Sequence, residues 1–81
     1  MEPKVAMMNI IVEDISAIEN INSVLHEYRE NIIGRMGLPY RPKHMDIIIS
    51  IALEAPGEVV AELSDRIREI DGVNVKTAFS K

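Results

Sequence analysis

The sequence predicts an α+β domain whose strands and helices follow in the order βαββαβ. Two apolar runs rich in β-branched residues, 5–12 and 47–53, have the composition of sheet strands. Two amphipathic segments have apolar residues at helical spacing, and the pattern of the first recurs in the second at a constant offset. The matching positions are Ile18, Ile21, Leu25 and Tyr28 in the first segment and Val60, Leu63, Ile67 and Ile70 in the second. The two halves of the chain are therefore expected to repeat one strand–helix–strand unit.

The first predicted strand covers residues 4–13, which are almost wholly apolar and typical of a central strand with both faces covered. Glu13 and Asp14 end this strand. Ser16 and Glu19 have the spacing of a capping box, in which each side chain accepts from a backbone N–H at the start of a helix. The first amphipathic helix is therefore expected to begin at Ser16.

The middle of the chain is expected to form an edge strand and then a central strand. Residues 32–37 contain β-formers interrupted by Gly34, which indicates an edge strand with a bulge or a site of close approach. Residues 38–43 are expected to turn the chain. The third strand, 46–54, has large apolar residues on one face and a smaller set on the other, and is expected beside the first strand at the sheet centre.

The second half closes with a helix and a strand. Ala55, Pro56 and Gly57 are expected to interrupt the third strand and open the second helix, since proline suits a first helical turn. Gly72 is expected to end that helix as a left-handed residue, and residues 73–79 alternate with the period of a half-buried strand. Two right-handed βαβ-type units, with both helices on one face of a shared four-stranded antiparallel sheet, give the ferredoxin-like fold.

The ferredoxin-like arrangement predicts an uncovered apolar surface. Both helices cover one sheet face, yet the first and third strands are apolar on both faces, so one face needs cover from outside the chain. A small chain without disulfides or metal ligands usually gains that cover by oligomerisation. We therefore expect a dimer or tetramer whose interface includes Met7, Ile11, Ile48 and Ala52. The opposite facing of the first strand is also compatible with the sequence.

Length and composition restrict the remaining possibilities. The 81 residues correspond to one domain, 1–81, and contain no cysteine, which excludes disulfides, thiolate metal ligands and catalytic thiols. No stretch approaches the ~20 apolar residues of a membrane span, and the N-terminus lacks the features of a signal peptide. A cytoplasmic location without membrane contact is expected.

The net charge of -4 is unevenly distributed along the chain. Residues 29–44 carry four permanent cations against one acid, whereas residues 54–71 carry six acids against two arginines. The four cations are Arg29, Arg35, Arg41 and Lys43. One modest basic cluster in an acidic chain does not favour direct nucleic-acid binding, which requires several phosphates to be neutralised together.

Residue patterns typical of catalysis or metal binding are absent from the sequence. It has no Walker-type glycine loop, no helical His-Glu-x-x-His and no nucleophile elbow. His26 and His44 form no motif, because a metal site needs three or four ligands with recognisable spacing. We therefore expect no enzyme activity, no cofactor and no metal site, with an intersubunit site pairing His44 with carboxylates as the open alternative.

The segment 29–46 is the candidate binding site, because glycines and prolines shape it and cations populate it. Glycine permits close backbone approach or positive φ, and proline holds itself and the residue before it in restricted conformations. The expected ligand- or partner-binding residues are Gly34, Arg35, Gly37, Tyr40, Arg41 and Lys43. Guanidinium groups bind carboxylate or phosphate through paired hydrogen bonds, which favours a small anionic effector or a partner protein. The alternative is a bulged edge strand whose cations only keep that edge soluble.

A resemblance to a known family lies in the octapeptide GRMGLPYR at 34–41 and the hexapeptide GVNVKT at 72–77. Both segments resemble the small proteins proposed as regulators of the iron-only hydrogenase system in anaerobes. The resemblance implies a ferredoxin-like, ACT-like domain that is distantly similar to the C-terminal domain of the nickel-responsive regulator. It also implies a regulatory role, which the family owes to its association with hydrogenase maturation genes.

Two departures limit what the resemblance implies. The second helix is more acidic than the family pattern, and the third strand lacks the histidines and downstream cysteine through which the nickel-responsive regulator binds metal. The sequence therefore favours an oligomeric module that binds an effector or a hydrogenase-system protein. The alternative is a metal-responsive or DNA-binding transcriptional regulator, for which the chain has few ligands and little positive charge.

Overall fold

The computed structural model has the predicted element order and describes residues 2–40 and 46–80, with the backbone alone at positions 39, 40 and 46. The strands are β1 (Pro3–Val12), β2 (Ile32–Tyr40), β3 (Asp46–Pro56) and β4 (Val73–Phe79), and the helices are α1 (Ile18–Glu27) and α2 (Gly57–Arg68). One antiparallel sheet has the strand order β2-β3-β1-β4. This is the topology of the ferredoxin-like fold, so the predicted fold class is confirmed. Neither described helix has the length and apolar character needed to cross a membrane.

The hydrophobic core lies between the two helices and one face of the sheet. Alternate residues of the two central strands are buried there, and they meet the apolar stripes of both helices. The strands contribute Ala6, Met8, Ile10 and Val12 from β1 and Ile49, Ile51, Leu53 and Ala55 from β3. Met7 and Ile11 of β1 lie on the opposite face and are 42% and 44% exposed. The facing of β1, which the sequence left open, is thereby settled.

The first helix begins differently from the predicted capping box. Asp14, in an extended backbone conformation, accepts hydrogen bonds at Oδ1 from the Ser16 backbone N–H (3.0 Å) and hydroxyl (2.7 Å). These bonds lower the pKa of the Asp14 carboxyl, the hydroxyl bond contributing most. A 3-10 turn, Ile15–Ala17, precedes α1, whose N-cap Ala17 offers no side-chain acceptor. The prediction that Ser16 and Glu19 cap the helix was therefore wrong, and Asp14 caps the preceding turn instead.

The second strand is longer than the sequence pattern suggested. A bulge interrupts the pairing of β2 with β3 between Ile32 and Gly34, which confirms the predicted bulged edge strand. The strand then continues to Tyr40, so the prediction that the chain turns from residue 38 was wrong. A Cβ atom added at Gly34 or Gly37 would meet nothing within 4 Å, so neither glycine is required by close approach within the chain.

Among the described residues, positive φ occurs at Gly72, whose φ is 79°. The predicted left-handed conformation is confirmed, but α2 ends earlier, with Glu69 as its C-cap, and Gly72 lies in the turn before β4. Its carbonyl accepts from the backbone N–H groups of Glu13 (2.7 Å) and Asp14 (3.3 Å). A Cβ at Gly72 would lie 2.5 Å from the Asp14 Cβ. Gly72 therefore joins the turn before β4 to the end of β1.

Replacing Gly72 with alanine is expected to lower the free energy of unfolding by about 2 kcal/mol or more. The left-handed conformation alone costs a residue with a Cβ roughly 1–2 kcal/mol, and Asp14 must also move. Urea unfolding measures the difference. Gly37→Ala is the matched control and should leave stability unchanged or slightly higher, because its added methyl meets open space. Equal losses in the two variants would contradict this account of Gly72.

Candidate functional site

The structure separates the predicted binding residues of β2 between the two faces of the sheet. Arg35 pairs with buried Ile51 and so lies on the helix side, where its Nη2 donates to the Asn22 Oδ1 at 3.1 Å. Gly37 pairs with Ile49 on that same side, whereas Gly34 pairs with Ala52 on the other.

The remaining members of the predicted set are only partly covered by the structure. The Tyr40 backbone pairs with Asp46 at the end of β2. Arg41, Lys43 and His44 lie outside the described residues. Ligand or partner binding by the six-residue set stays a prediction.

Arg35 contributes to a shallow cavity that we call the α1–β2 groove. The groove has a volume of about 270 Å³ and is lined by Asn22, Leu25, His26, Arg29, Ile32 and Arg35. Leu25 is 2% exposed and forms the floor, and half-buried Ile32 adds a second apolar surface. Polar groups from α1, from the turn after it and from β2 therefore surround a small apolar base.

The α1–β2 groove is positively charged. Arg29 donates from Nη1 to the His26 carbonyl at 2.9 Å, and Arg35 donates to the neutral Asn22 amide oxygen. No carboxylate lines the groove within the described part of the chain. The ion pairs of the described residues instead involve the two arginines of α2, Arg66 with Glu27 and Arg68 with Asp65.

Sequence reasoning did not include Asn22 and His26 among the candidate residues. It assigned His26 to no motif. The available signal was helical spacing, because Asn22 and His26 are related as i and i+4 and so share one side of α1. Arg29 lies in the 3-10 turn Arg29–Asn31 that follows the helix. What sequence could not show is that β2 brings Arg35 against that same side.

The second candidate surface is the sheet face without helices, which we call the open face. Its large exposed apolar residues are Val5, Met7, Ile11, Met36, Leu38 and Ile48. The predicted interface residues lie on it in adjacent pairs, Met7 opposite Ala52 and Ile11 opposite Ile48. Between these pairs, the Ser50 hydroxyl donates to the Asn9 Oδ1 at 2.9 Å. The centre of the open face is thus apolar with one hydrogen-bonded polar pair, and Glu54 on β3 and Asn74 and Lys76 on β4 lie around it.

A third cluster joins the two helices on the side away from the open face. The Tyr28 hydroxyl donates to Glu62, and Arg66 binds both carboxylate oxygens of Glu27 at 2.8 and 3.0 Å. The Arg66 guanidinium also lies 5.6 Å from the centre of the Tyr28 ring. These contacts hold α1 against α2.

The interhelical contacts shift the pKa values of three of these groups. Hydrogen bonds from Arg66 lower the pKa of Glu27, and the same contact raises that of Arg66. The hydrogen bond to Glu62 raises the pKa of Tyr28, partly opposed by Arg66. Each pKa shift is caused mainly by a hydrogen bond between the two helices, so these shifts are explained by the packing of α1 on α2.

Among the described residues, no group of three or more His, Cys, Asp or Glu side chains could hold a metal ion.

The structure thus has two candidate binding surfaces. The α1–β2 groove suits an anion, and the open face suits an apolar partner.

Comparison with known proteins identifies the family of the chain. The family model described as TM1266-like, for proteins proposed as iron-only hydrogenase system regulators, matches residues 4–77. The chain belongs to this family. The match spans β1 to the middle of β4, so it includes both the octapeptide and the hexapeptide that carry the sequence resemblance. The resemblance to hydrogenase system regulators is thereby confirmed.

A solved structure has the same fold as this chain. The uncharacterized protein TM1266 from Thermotoga maritima is 33% identical in sequence and superposes with a TM-score of 0.92, covering 99% of this chain and 100% of that one. The ferredoxin-like fold is therefore shared along the full length of both chains. A comparison with curated proteins found no match.

Changing Glu62 to Gln is expected to lower the pKa of Tyr28. The pKa of Tyr28 is raised in the folded chain, so the protonated phenol stabilises the fold. This stabilisation is complete below the pKa of tyrosine in the unfolded chain, about 10, and is lost as the pH rises through the pKa of Tyr28 in the folded chain. The variant should therefore lose less stability at high pH than the wild type. Phenolate absorbance during alkaline titration reports Tyr28 alone when Tyr40, the second of two tyrosines, is changed to Phe.

The matched control is Glu54→Gln in the same Tyr40→Phe background. Glu54 is an exposed carboxylate opposite Val5, on the other side of the sheet. The titration of Tyr28 should be unchanged in this control. An unchanged titration in the Glu62 variant would show that the interhelical hydrogen bond does not form in solution.

Proposed function

We propose that this chain is a regulatory module of the iron-only hydrogenase system that works as a dimer or tetramer and responds to a small anionic effector or a hydrogenase-system protein. Membership of the regulator family supports the regulatory role. The apolar open face is the observation that supports self-association, and the basic α1–β2 groove supports an anionic effector.

The open face has the character of an interaction surface. Six large apolar side chains from three adjacent strands are exposed on it, whereas monomeric proteins rarely expose contiguous apolar patches of that kind. The chain has 81 residues and no cysteine, so disulfides do not supplement its core. Covering this face would remove from water six of the nine large apolar side chains that are exposed among the described residues.

A second copy of the chain is the partner that fits the open face. The central rows of the face, from Met7 to Ile11 on β1 and from Ile48 to Ala52 on β3, contain no charged side chain. Two such faces can therefore meet about a two-fold axis along these central rows without placing a charge at the centre of the interface. The Asn9 side chain can both donate and accept, so it can pair with the same group of a partner.

The wild-type chain is expected to form a dimer or tetramer at micromolar concentration, and Ile11→Asp should weaken that association about a hundredfold or more. A carboxylate in an apolar interface loses hydration without gaining a partner. Sedimentation velocity over a dilution series measures the change. Ile15→Asp is the matched control because Ile15 is 57% exposed in the 3-10 turn, away from the open face. A wild-type chain that stays monomeric would overturn the proposed self-association.

The regulatory proposal is tested in an anaerobe that encodes both this chain and an iron-only hydrogenase. Removal of the gene is expected to change hydrogenase activity or its response to growth conditions. The Ile11→Asp chain should behave like the deletion, and the Ile15→Asp chain like the wild type, since only the former loses the oligomer. Hydrogenase activity and transcript levels are the measurements. A deletion strain with unaltered hydrogenase would contradict a regulatory function.

A further inference from the structure

We infer that the α1–β2 groove binds a small organic anion through a phosphate or carboxylate group held by Arg29 and Arg35. The inference deepens the proposed function by giving a site and a chemical class for the effector. It rests on that function only for the statement that the bound anion is a regulatory signal. Binding itself depends on the groove alone.

The two arginines are positioned and still have donors to offer. Arg29 is held by the His26 carbonyl and Arg35 by the Asn22 amide oxygen, each through a single described hydrogen bond. A guanidinium carries five N–H donors in a fixed planar fork, so each side chain keeps several for a ligand. Because both acceptors are neutral, the positive charge of each arginine is not cancelled by its partner.

The size and floor of the groove indicate a small organic molecule. Its volume of about 270 Å³ is slightly below the usual range for ligand pockets, which starts near 300 Å³. Leu25 and Ile32 provide an apolar base beneath the cations, and the Asn22 amide and His26 imidazole line the side. This arrangement suits a compact metabolite with a short carbon skeleton and one or two anionic groups.

The internal repeat supplies a comparison groove within the same chain. The α2–β4 groove, of about 210 Å³, is lined by Val60, Ala61, Ser64, Asp65, Arg68, Thr77 and Phe79. At the offset of the helical stripes, Asn22, His26 and Arg35 correspond to Ser64, Arg68 and Thr77.

The two grooves differ in charge at corresponding positions. In the α2–β4 groove, Arg68 is paired with Asp65 at 3.0 Å, and threonine replaces the arginine of β2. The residue corresponding to Asp65 in the first half is Ser23, which has no charge. The basic character of the α1–β2 groove is therefore not a general result of this helix–strand geometry.

The local helix end opposes anion binding, which makes both arginines necessary. The C-terminal end of α1, at Glu27, lies beside the groove, and carbonyl groups at a helix end carry partial negative charge. Arg29 binds one of these carbonyls and reduces their effect. Binding of an anion then depends on the combined charge and hydrogen-bond donors of Arg29 and Arg35. Removing the guanidinium group of either residue should therefore reduce the affinity markedly.

The test measures binding of inorganic phosphate and of succinate to the full chain, at constant ionic strength against chloride. Calorimetry gives the affinity, and NMR amide shifts locate the bound anion. We expect one or both anions to bind, with the largest shifts at Asn22, His26 and Arg35. Comparison of phosphate with succinate distinguishes a phosphate ligand from a carboxylate ligand.

Arg29→Lys and Arg35→Lys keep the charge but remove the planar fork, and each should weaken binding about tenfold or more. Arg68→Lys is the matched control in the α2–β4 groove and should bind as the wild type does. Asn22→Ala provides a second variant, since it removes only the acceptor that orients Arg35 and should also weaken binding.

Three results would overturn the groove assignment: no binding of either anion, shifts located elsewhere, or equal weakening by Arg68→Lys and the groove variants. The oligomeric state is measured on the same samples. Loss of binding with an intact oligomer in the groove variants supports the assignment. Failure of the wild type to associate, with anion binding retained, would overturn the proposed oligomeric function and leave the groove in place.

Discussion

Both helices pack on the same face of a sheet whose two central strands are apolar on both faces, and this constraint governs the rest of the structure. Burial of Met8 and Ile51 against the helices puts Met7 and Ile11 on the other face. The same residues that make β1 and β3 good central strands therefore create the open face. Core formation and the exposed apolar surface have one cause, the two-sided apolar composition of these strands.

The distribution of acids between the helices determines where positive charge remains available. Carboxylates pair with both arginines of α2, Glu27 with Arg66 across the helices and Asp65 with Arg68 within α2. Arg29 and Arg35 bind neutral acceptors instead. Tyr28 and Glu62 extend the interhelical contact and hold α1 in place. The contacts that fix the helix pair thus leave the cations of the α1–β2 groove uncompensated.

Hydrophobic periodicity predicted the element order and the helix stripes, because burial on one side of an element produces a regular pattern of apolar residues. The position of Gly34 among β-formers predicted the bulged edge strand. Sequence patterns failed where several residues competed for one local role. Ser16 fits the capping pattern in the sequence, but the structure shows the Asp14 side chain as the acceptor that caps the turn. The side on which Arg35 lies, and therefore its contact with Asn22, depended on strand pairing that alternation within β2 could not reveal.

The bulge in β2 determines the chemistry of both surfaces. If β2 paired without the bulge, with Ile33 in the ladder opposite Ala52, every later residue of the strand would pair one position further along β3. Arg35 would then lie opposite Ser50, on the open face, and Leu38 would lie opposite Ile47, on the helix side. A charge would enter the apolar surface, and the groove would lose a guanidinium. The bulge thus determines which residues of β2 face each side of the sheet, and it keeps the guanidinium of Arg35 apart from the apolar side chains of Met36 and Leu38.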